Sequence, residues 1–270
     1  MPYATPYDER TEIIQRRDYK VVKANEIIQK AKYDLSAFEL KILAFIFSMV
    51  KPTDTKDTEY TFSVSDFCKI AGIDSQQGKN YAKIKSYLKG LRDKSFWLTD
   101  ENGRETTIGW LSKATVSRGS GTLSIKLDED LSKYIINLIG TPYTQYELIS
   151  CLPMKSSYSI RLYELLKSYA FRKQVTFDID ELKESLAAVH YQNFKDFRVK
   201  CLEPGVRETN LYTDLEITWI PITKGKKVIQ VQFIITTKDV FNRKIAHDTA
   251  AGALDNKKQI KGQMSLECLR

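Results

Sequence analysis

Two stretches of this chain echo one another, and the repeat narrows the possible folds more than any other feature. Residues 60–73, YTFSVSDFCKIAGI, and residues 175–189, VTFDIDELKESLAAV, share Thr-Phe, then an aliphatic residue, then an acidic–hydrophobic pair. Thr61, Phe62, Val64, Asp66 and Phe67 align with Thr176, Phe177, Ile179, Glu181 and Leu182, 115 positions later. In each copy the apolar residues alternate and then fall at helical spacing, which predicts a short strand feeding a helix. Asp178, three residues before Glu181, gives the second copy a start related to the capping box.

The flanks repeat as well. Each copy follows a long apolar segment, LSAFELKILAFIFSMVK at 35–51 and SIRLYELLKSYAF at 159–171. Only Ser36, Glu39, Lys41 and Ser48 interrupt the first, as expected of a centrally buried helix, and Pro52 marks its end. A further helix is expected over 23–31.

Each copy also precedes a basic helix. Over 78–94, Tyr81, Ile84, Leu88 and Leu91 form one buried stripe. Lys79, Lys83, Ser86 and Gly90 lie opposite it, flanked by Ala82 and Lys89, and the segment holds six basic residues against one acidic. Small side chains and lysines let such a face approach a phosphate backbone; a merely solvated face is the alternative. Over 191–203, Phe194, Phe197 and Cys201 mark the buried stripe, Gln192, Lys195 and Val199 face away, and Arg198 and Lys200 lie to the sides. Pro204 is expected to kink or end this helix, with GVRETN a candidate continuation. Arg198 has an alternative role, packing its stem on the core and pairing with an acid.

Strands follow each basic helix. Residues 95–116 contain Asn102-Gly103, the strongest short hairpin signal, and 121–127 supply another strand. Residues 215–238 alternate on both sides of a turn at Lys224-Gly225-Lys226. Helix, strand, helix, basic helix, hairpin is the order of a winged helix, and it occurs twice. The expected fold is therefore α+β, two tandem winged-helix domains related by internal duplication. An N-terminal arm is placed at 1–20, the domains at 21–140 and 150–238, and a polar, partly disordered tail at 239–270.

Lysine and arginine number 42 against 34 acidic residues, a formal charge of +8. That excess favours a polyanionic partner, most simply nucleic acid. Gly78-Lys79 raises the question of a nucleotide phosphate loop, which needs four residues between its glycines and Ser or Thr after the lysine. Here five residues separate Gly72 from Gly78, and Asn80 follows Lys79. The stretch reads instead as the opening of the second helix of a helix-turn-helix. Its free amides and positive dipole end suit the phosphates of DNA rather than ATP.

Four widely spaced cysteines without a CxxC pair predict a reduced, cytoplasmic chain with no cysteine-based zinc site. No apolar run approaches the ~18 residues of a membrane span, and the N-terminus lacks the apolar core of a secretory signal. A DNA-nicking enzyme needs a tyrosine beside a metal held by clustered histidines, yet His190 and His247 are isolated. No G-x-S-x-G elbow appears, and no cysteine has a histidine near it in sequence. The reading is a DNA-binding protein with no catalytic residues, no metal and no cofactor.

Three segments, VVKANEIIQKAKYDLSAFELKIL (21–43), SYSIRLYELLKSY (157–169) and YQNFKDFRVKCLEPGVRETN (191–210), with the hairpin at 215–237, resemble the initiator replication proteins of iteron-controlled bacterial plasmids. The resemblance spans about residues 21–238 and implies that the second domain reads repeated origin sites, the iterons, through the helix Tyr191–Glu203. Tyr191 and Asn193 open that helix, and Lys195, Arg198 and Lys200 are its implied DNA contacts. Arginine takes guanine bidentately, whereas lysine more often holds phosphate. Val199 interrupts a basic run found in many relatives and suits a thymine methyl. Lys224, Lys226 and Lys227 fit wing contacts to backbone or minor groove; Lys79, Asn80, Lys83 and Lys89 fit phosphate contacts from the first domain.

The resemblance also implies partners: a homodimer in equilibrium with monomer, a host initiator protein and the replicative helicase. Dimers would repress the protein's own gene at an inverted repeat, and monomers would initiate at iterons. The dimer interface is expected on the strands at 95–127. A winged-helix transcription regulator without initiator activity is the alternative.

Overall fold

The computed structural model describes the backbone of residues 9–73, 78–99, 102–117 and 119–267, with side chains within 12–73, 81–99, 102–117 and 119–255. The chain opens with α1 (Glu9–Gln15), a 3-10 turn (Arg16–Asp18) and β1 (Lys20–Ala24). The first half continues through α2 (Asn25–Lys30), α3 (Ala37–Phe47), β2 (Glu59–Ser63), α4 (Val64–Ile70) and α5 (Gly78–Asp93). It closes with β3 (Ser95–Thr99), β4 (Glu105–Gly109), β5 (Leu111–Ser117), β6 (Thr122–Leu127) and α6 (Glu129–Ser132). After β7 (Tyr143–Glu147) come α7 (Ser157–Ser168), β8 (Gln174–Asp178), α8 (Ile179–Ser185), α9 (Phe194–Phe197) and a π-turn (Arg198–Leu202). The chain then runs through α10 (Glu203–Tyr212), β9 (Leu215–Lys224), β10 (Lys227–Thr237) and α11 (Val240–Glu267).

The sequence repeat is a structural repeat. Each half holds a three-stranded antiparallel sheet, ordered β2-β6-β5 in the first and β8-β10-β9 in the second. In both, the strand before the helix pairs with the second strand of the hairpin. Phe62 sits opposite Leu123 and Phe177 opposite Val231, and all four are buried. Alternation put these phenylalanines on the core face, where Phe62 meets Phe45 of α3 at 4.9 Å between ring centroids. These are two winged-helix domains.

Local signals set the helix starts. Ser36 and Glu39 form a reciprocal capping box at α3, and Ser63 accepts the Asp66 amide at 3.0 Å to start α4. The second copy differs. Asp178 occupies the N-cap of α8 without a side-chain cap bond, because its carboxylate accepts from Gln230 Nε2 at 3.0 Å across the sheet. The α3 helix ends at Phe47, short of Pro52, where the Ser48 hydroxyl donates back to the Phe45 carbonyl at 2.7 Å.

A strand that the sequence analysis did not anticipate joins the halves. β1 pairs with β7 over Lys20–Ala24 and Tyr143–Glu147, so the first strand of the chain lies against the segment leading into the second domain. Beneath it, Lys23 forms a buried ion pair with Glu164 of α7, which also accepts from the Tyr146 hydroxyl at 2.5 Å. Arg161, also on α7, lies 3.9 Å from the Tyr33 ring centroid. Its Nη2 donates to the carbonyls of Ala31 at 3.1 Å and Ser185 at 2.9 Å.

The segment expected as a polar, partly disordered tail contains a helix among the described residues. Chain from Val240 to Glu267 is helical, and Ala246, Ala250 and Leu254, four residues apart, are buried against the body. Gly72 admits this contact: its φ is +63°, and a Cβ there would lie 2.6 Å from the Leu254 carbonyl oxygen. The expected arm is, from residue 9, a helix and a turn; residues 1–8 lie outside the described residues. Arg17, buried, donates through Nε to the Ile70 carbonyl at 2.9 Å and through Nη2 to that of Lys69 at 3.2 Å. A cation is thus set on the carbonyl end of α4, where the helix dipole favours it. Its Nη1 pairs with Asp255 of α11 at 3.2 Å.

Beside that pair, His247 Nε2 lies 2.7 Å from Asp18 Oδ1. Burial opposes the charged imidazole. The Asp18 hydrogen bond and charge, with Glu147 and Asp248, outweigh it and raise the pKa above the usual histidine value of 6.5. A raised pKa means that docking contributes fully below the free value and loses this contribution as pH rises through the docked one. We expect tryptic cleavage after Arg243 and Lys244 to be slower at about pH 6 than at about pH 8, relative to the His247→Ala variant at each pH. Equal ratios at both would remove the histidine from this role. No helix among the described residues is long and apolar enough to cross a membrane.

Candidate nucleic-acid interface

The helix expected to read DNA in the second domain begins later and runs further than its sequence suggests. Asn193 is the N-cap: its side-chain oxygen accepts the Asp196 amide at 2.8 Å, and helix follows from Phe194. Tyr191 therefore precedes the helix. It is half-buried, with its ring 4.1 Å from that of His190 and 6.2 Å from that of Tyr158. Pro204 does not end the helix. It has no amide to give the Lys200 carbonyl, and its ring would collide with that carbonyl in regular α-helix. The π-turn absorbs this conflict, with the Glu203 amide donating to the Arg198 carbonyl five residues back. Pro204 then occupies the first turn of α10, where no amide is needed, and helix continues to Tyr212.

The inward face follows the expected stripe. Phe197 and Cys201 are fully buried, and Phe194 packs edge-on to Trp219 of β9. Lys183 of α8 lies over the Phe197 ring, fixing the turn between the two helices. Outward, Lys195, Val199 and Lys200 are exposed and Arg198 is half-exposed.

The wing stands beside the start of this helix. Gly225, at φ +62°, takes the first central position of the two-residue turn between β9 and β10, the type II′ pattern. Lys224, Lys226 and Lys227 are exposed and, like Lys195 and Lys200, have no ion pair among the described residues. An open groove of about 770 Å³ brings Lys226 and Lys227 together with Asn193, Phe194 and Lys183, and also with Asp178 and Asp180. The two acids lie on the α8 side and leave the wing lysines unpaired.

In the first domain, α5 buries Ile84, Leu88 and Leu91 and exposes Lys83 and Ser86. Two residues of the expected outer face are otherwise engaged. Lys89 pairs with Asp93 one turn on, and a Cβ on Gly90 would lie 3.0 Å from Glu39 Oε1. Glu39 is held by Lys94 at 2.9 Å. Burial works to raise the Glu39 pKa, but Lys94 and the Ser36 bonds bring it below the usual value. Gly90 thus serves close packing of α5 on α3. Lys79 and Asn80 fall in the first turn of α5, and their side chains lie outside the described residues.

The wing of this domain is the β5–β6 hairpin, which the sequence analysis missed; the glycines at 119 and 121, between alternating segments, were the available signal. The Asn102-Gly103 hairpin forms a separate two-stranded sheet, β3 with β4, whose Trp97 is 61% exposed.

No group of three or more His, Cys, Asp or Glu among the described residues is placed to hold a metal. Cys151 and Cys201 are buried, and burial raises both thiols to about 12, far from a reactive thiolate.

Comparison with known proteins agrees with this geometry. Residues 20–167 match a family model described as Initiator Replication protein, WH1, and residues 178–235 match one described as Initiator Rep protein, WH2. The solved structure of the Pi initiator protein in complex with iteron DNA is similar to this chain, with a TM-score of 0.67 at 21% identity. The match covers 83% of this chain and 99% of that one. At this identity the likeness is one of fold; the family matches carry further, and over residues 20–167, more than half its length, this chain is shown to belong to the initiator replication proteins.

Proposed function

We propose that this chain binds duplex DNA at repeated origin sites and initiates replication there, making and breaking no covalent bonds itself. One observation carries the reading. Two winged-helix units each present an outward lysine-bearing helix anchored from behind by apolar residues, and in the second unit a basic wing shares the groove at the helix start. Phosphate contacts of this kind position a protein on DNA, and base-edge contacts then specify the sequence. That the similar Pi initiator was solved with iteron DNA supports the same ligand class.

The finer reading gives sequence recognition to the second domain, through Lys195, Arg198 and Lys200. Backbone contacts fall to Lys83 and to the wing lysines. Autorepression as a dimer, and recruitment of a host initiator and helicase, complete it. Exposed Trp97 on β3 supports a dimer surface on the first-domain strands. Footprinting of the purified chain on DNA flanking its own gene tests the proposal. Protection of direct repeats, each about two helical turns long, is expected. A single protected palindrome without repeats would instead favour a transcription regulator, and no protection at all would refute sequence-specific binding. At concentrations where sedimentation detects dimer, an inverted repeat near the promoter is expected to be protected.

A further inference from the structure

Arg198 and Glu203 are five residues apart, a spacing that regular α-helix does not bring together. At ~3.6 residues per turn, positions i and i+5 point about 140° apart. Here the π-turn stacks one over the other. The Glu203 amide donates to the Arg198 carbonyl, and Arg198 Nε lies 3.4 Å from Glu203 Oε1. Nε is shielded from solvent and makes no hydrogen bond, while 42% of the Arg198 side chain remains exposed. An acid on the outer face of a DNA-reading helix weakens attraction to phosphates, so its presence calls for a compensating role.

We infer that Glu203 is a positioning residue, holding the Nε side of Arg198 so that the two terminal amino groups are presented as a fork to a guanine edge. The inference rests on the reading of Arg198 as a base contact. Its physical chain is short. Pro204 excludes regular α-helix at this point, the π-turn that replaces it brings Glu203 onto Arg198, and the carboxylate restricts a side chain that would otherwise sample many rotamers. A guanidinium fork matches guanine O6 and N7 with two parallel hydrogen bonds, and fixing its plane in advance preserves that geometry. π-turns inside α-helices are frequent at functional sites.

The test uses the full chain with two probes: the duplex that it selects from a random-sequence pool, and a scrambled duplex of the same length. Arg198→Ala is expected to lower the ratio of selected to scrambled affinity by about tenfold or more. Glu203→Gln, nearly isosteric, is expected to lower the same ratio by several-fold while leaving scrambled binding equal or tighter, since a negative charge has gone. In an Arg198→Lys background, Glu203→Gln should change the ratio no further. Should Glu203→Gln strengthen binding to both duplexes equally, the acid merely repels DNA and the positioning role falls, while Arg198 keeps its own. Should Arg198→Ala itself leave the ratio unchanged, the base-contact assignment falls first and takes the inference with it. Matching circular dichroism spectra establish that each variant is folded.

Discussion

Raising the salt from about 50 to about 200 mM should weaken binding to any duplex by about three orders of magnitude or more. Seven cations stand on the candidate surface with their heads wholly or partly in solvent: Lys83, Lys195, Arg198, Lys200, Lys224, Lys226 and Lys227. Of these only Arg198 has an acidic partner among the described residues. Each phosphate neutralised releases condensed counterions, and the logarithm of the binding constant falls with that of salt at about −0.9 per contact. About six contacts then give a slope of roughly −5, which over a fourfold rise in salt is a loss of about a thousandfold. Lys83→Ala should flatten the slope by about one and weaken selected and scrambled duplexes alike. Titration by fluorescence anisotropy at four salt concentrations measures this, and a slope near zero would mean that these lysines do not meet phosphate.

Replacing Lys23 by Met should cost about 3–5 kcal/mol of folding stability, because it leaves the buried Glu164 carboxylate without its cation. The side chains of both partners are almost completely shielded, 5% and 2% exposed. Glu164 would keep the Tyr146 hydroxyl, but a neutral donor balances a buried charge poorly. Joint replacement, Lys23→Met with Glu164→Leu, should recover most of the loss, since a buried pair exchanged for apolar groups of similar volume is often neutral. Urea unfolding followed by tryptophan fluorescence measures both. A single variant as stable as the parent would show that the pair lies within reach of water.

These two expectations differ in how visible their residues are in the sequence. The fold and the helix cores were legible because periodicity records burial directly. Phe62 and Phe177 alternate onto sheet faces, and Ile84, Leu88 and Leu91 recur at helical spacing. The Lys23–Glu164 pair was not legible, because it joins residues from different halves. Nor was the course of the helix that follows Asn193. Pro204 removes one hydrogen bond, and whether the helix breaks or inserts a π-turn depends on packing around Phe197 and Cys201, which spacing does not record. The α11 helix was hidden by composition: of its three buried apolar residues among those described, two are alanines, Ala246 and Ala250, too small to stand out as an apolar stripe. Lys89 and Gly90 show the converse, since outward spacing on a helix wheel does not reveal that Asp93 pairs with the one and Glu39 lies against the other.

The meeting of α11 with the turn at Arg16–Asp18 has a mechanical consequence. The two halves are already linked covalently where the chain passes from β7 into α7. The Lys23–Glu164 pair and the Arg161 bond to Ala31 hold them from within, and Arg17–Asp255 and Asp18–His247 add a further joint, lying outside both family-matched segments. Each added fastening away from the others removes a direction in which one half could turn against the other. Any larger rotation of one half against the other must first unzip head from tail.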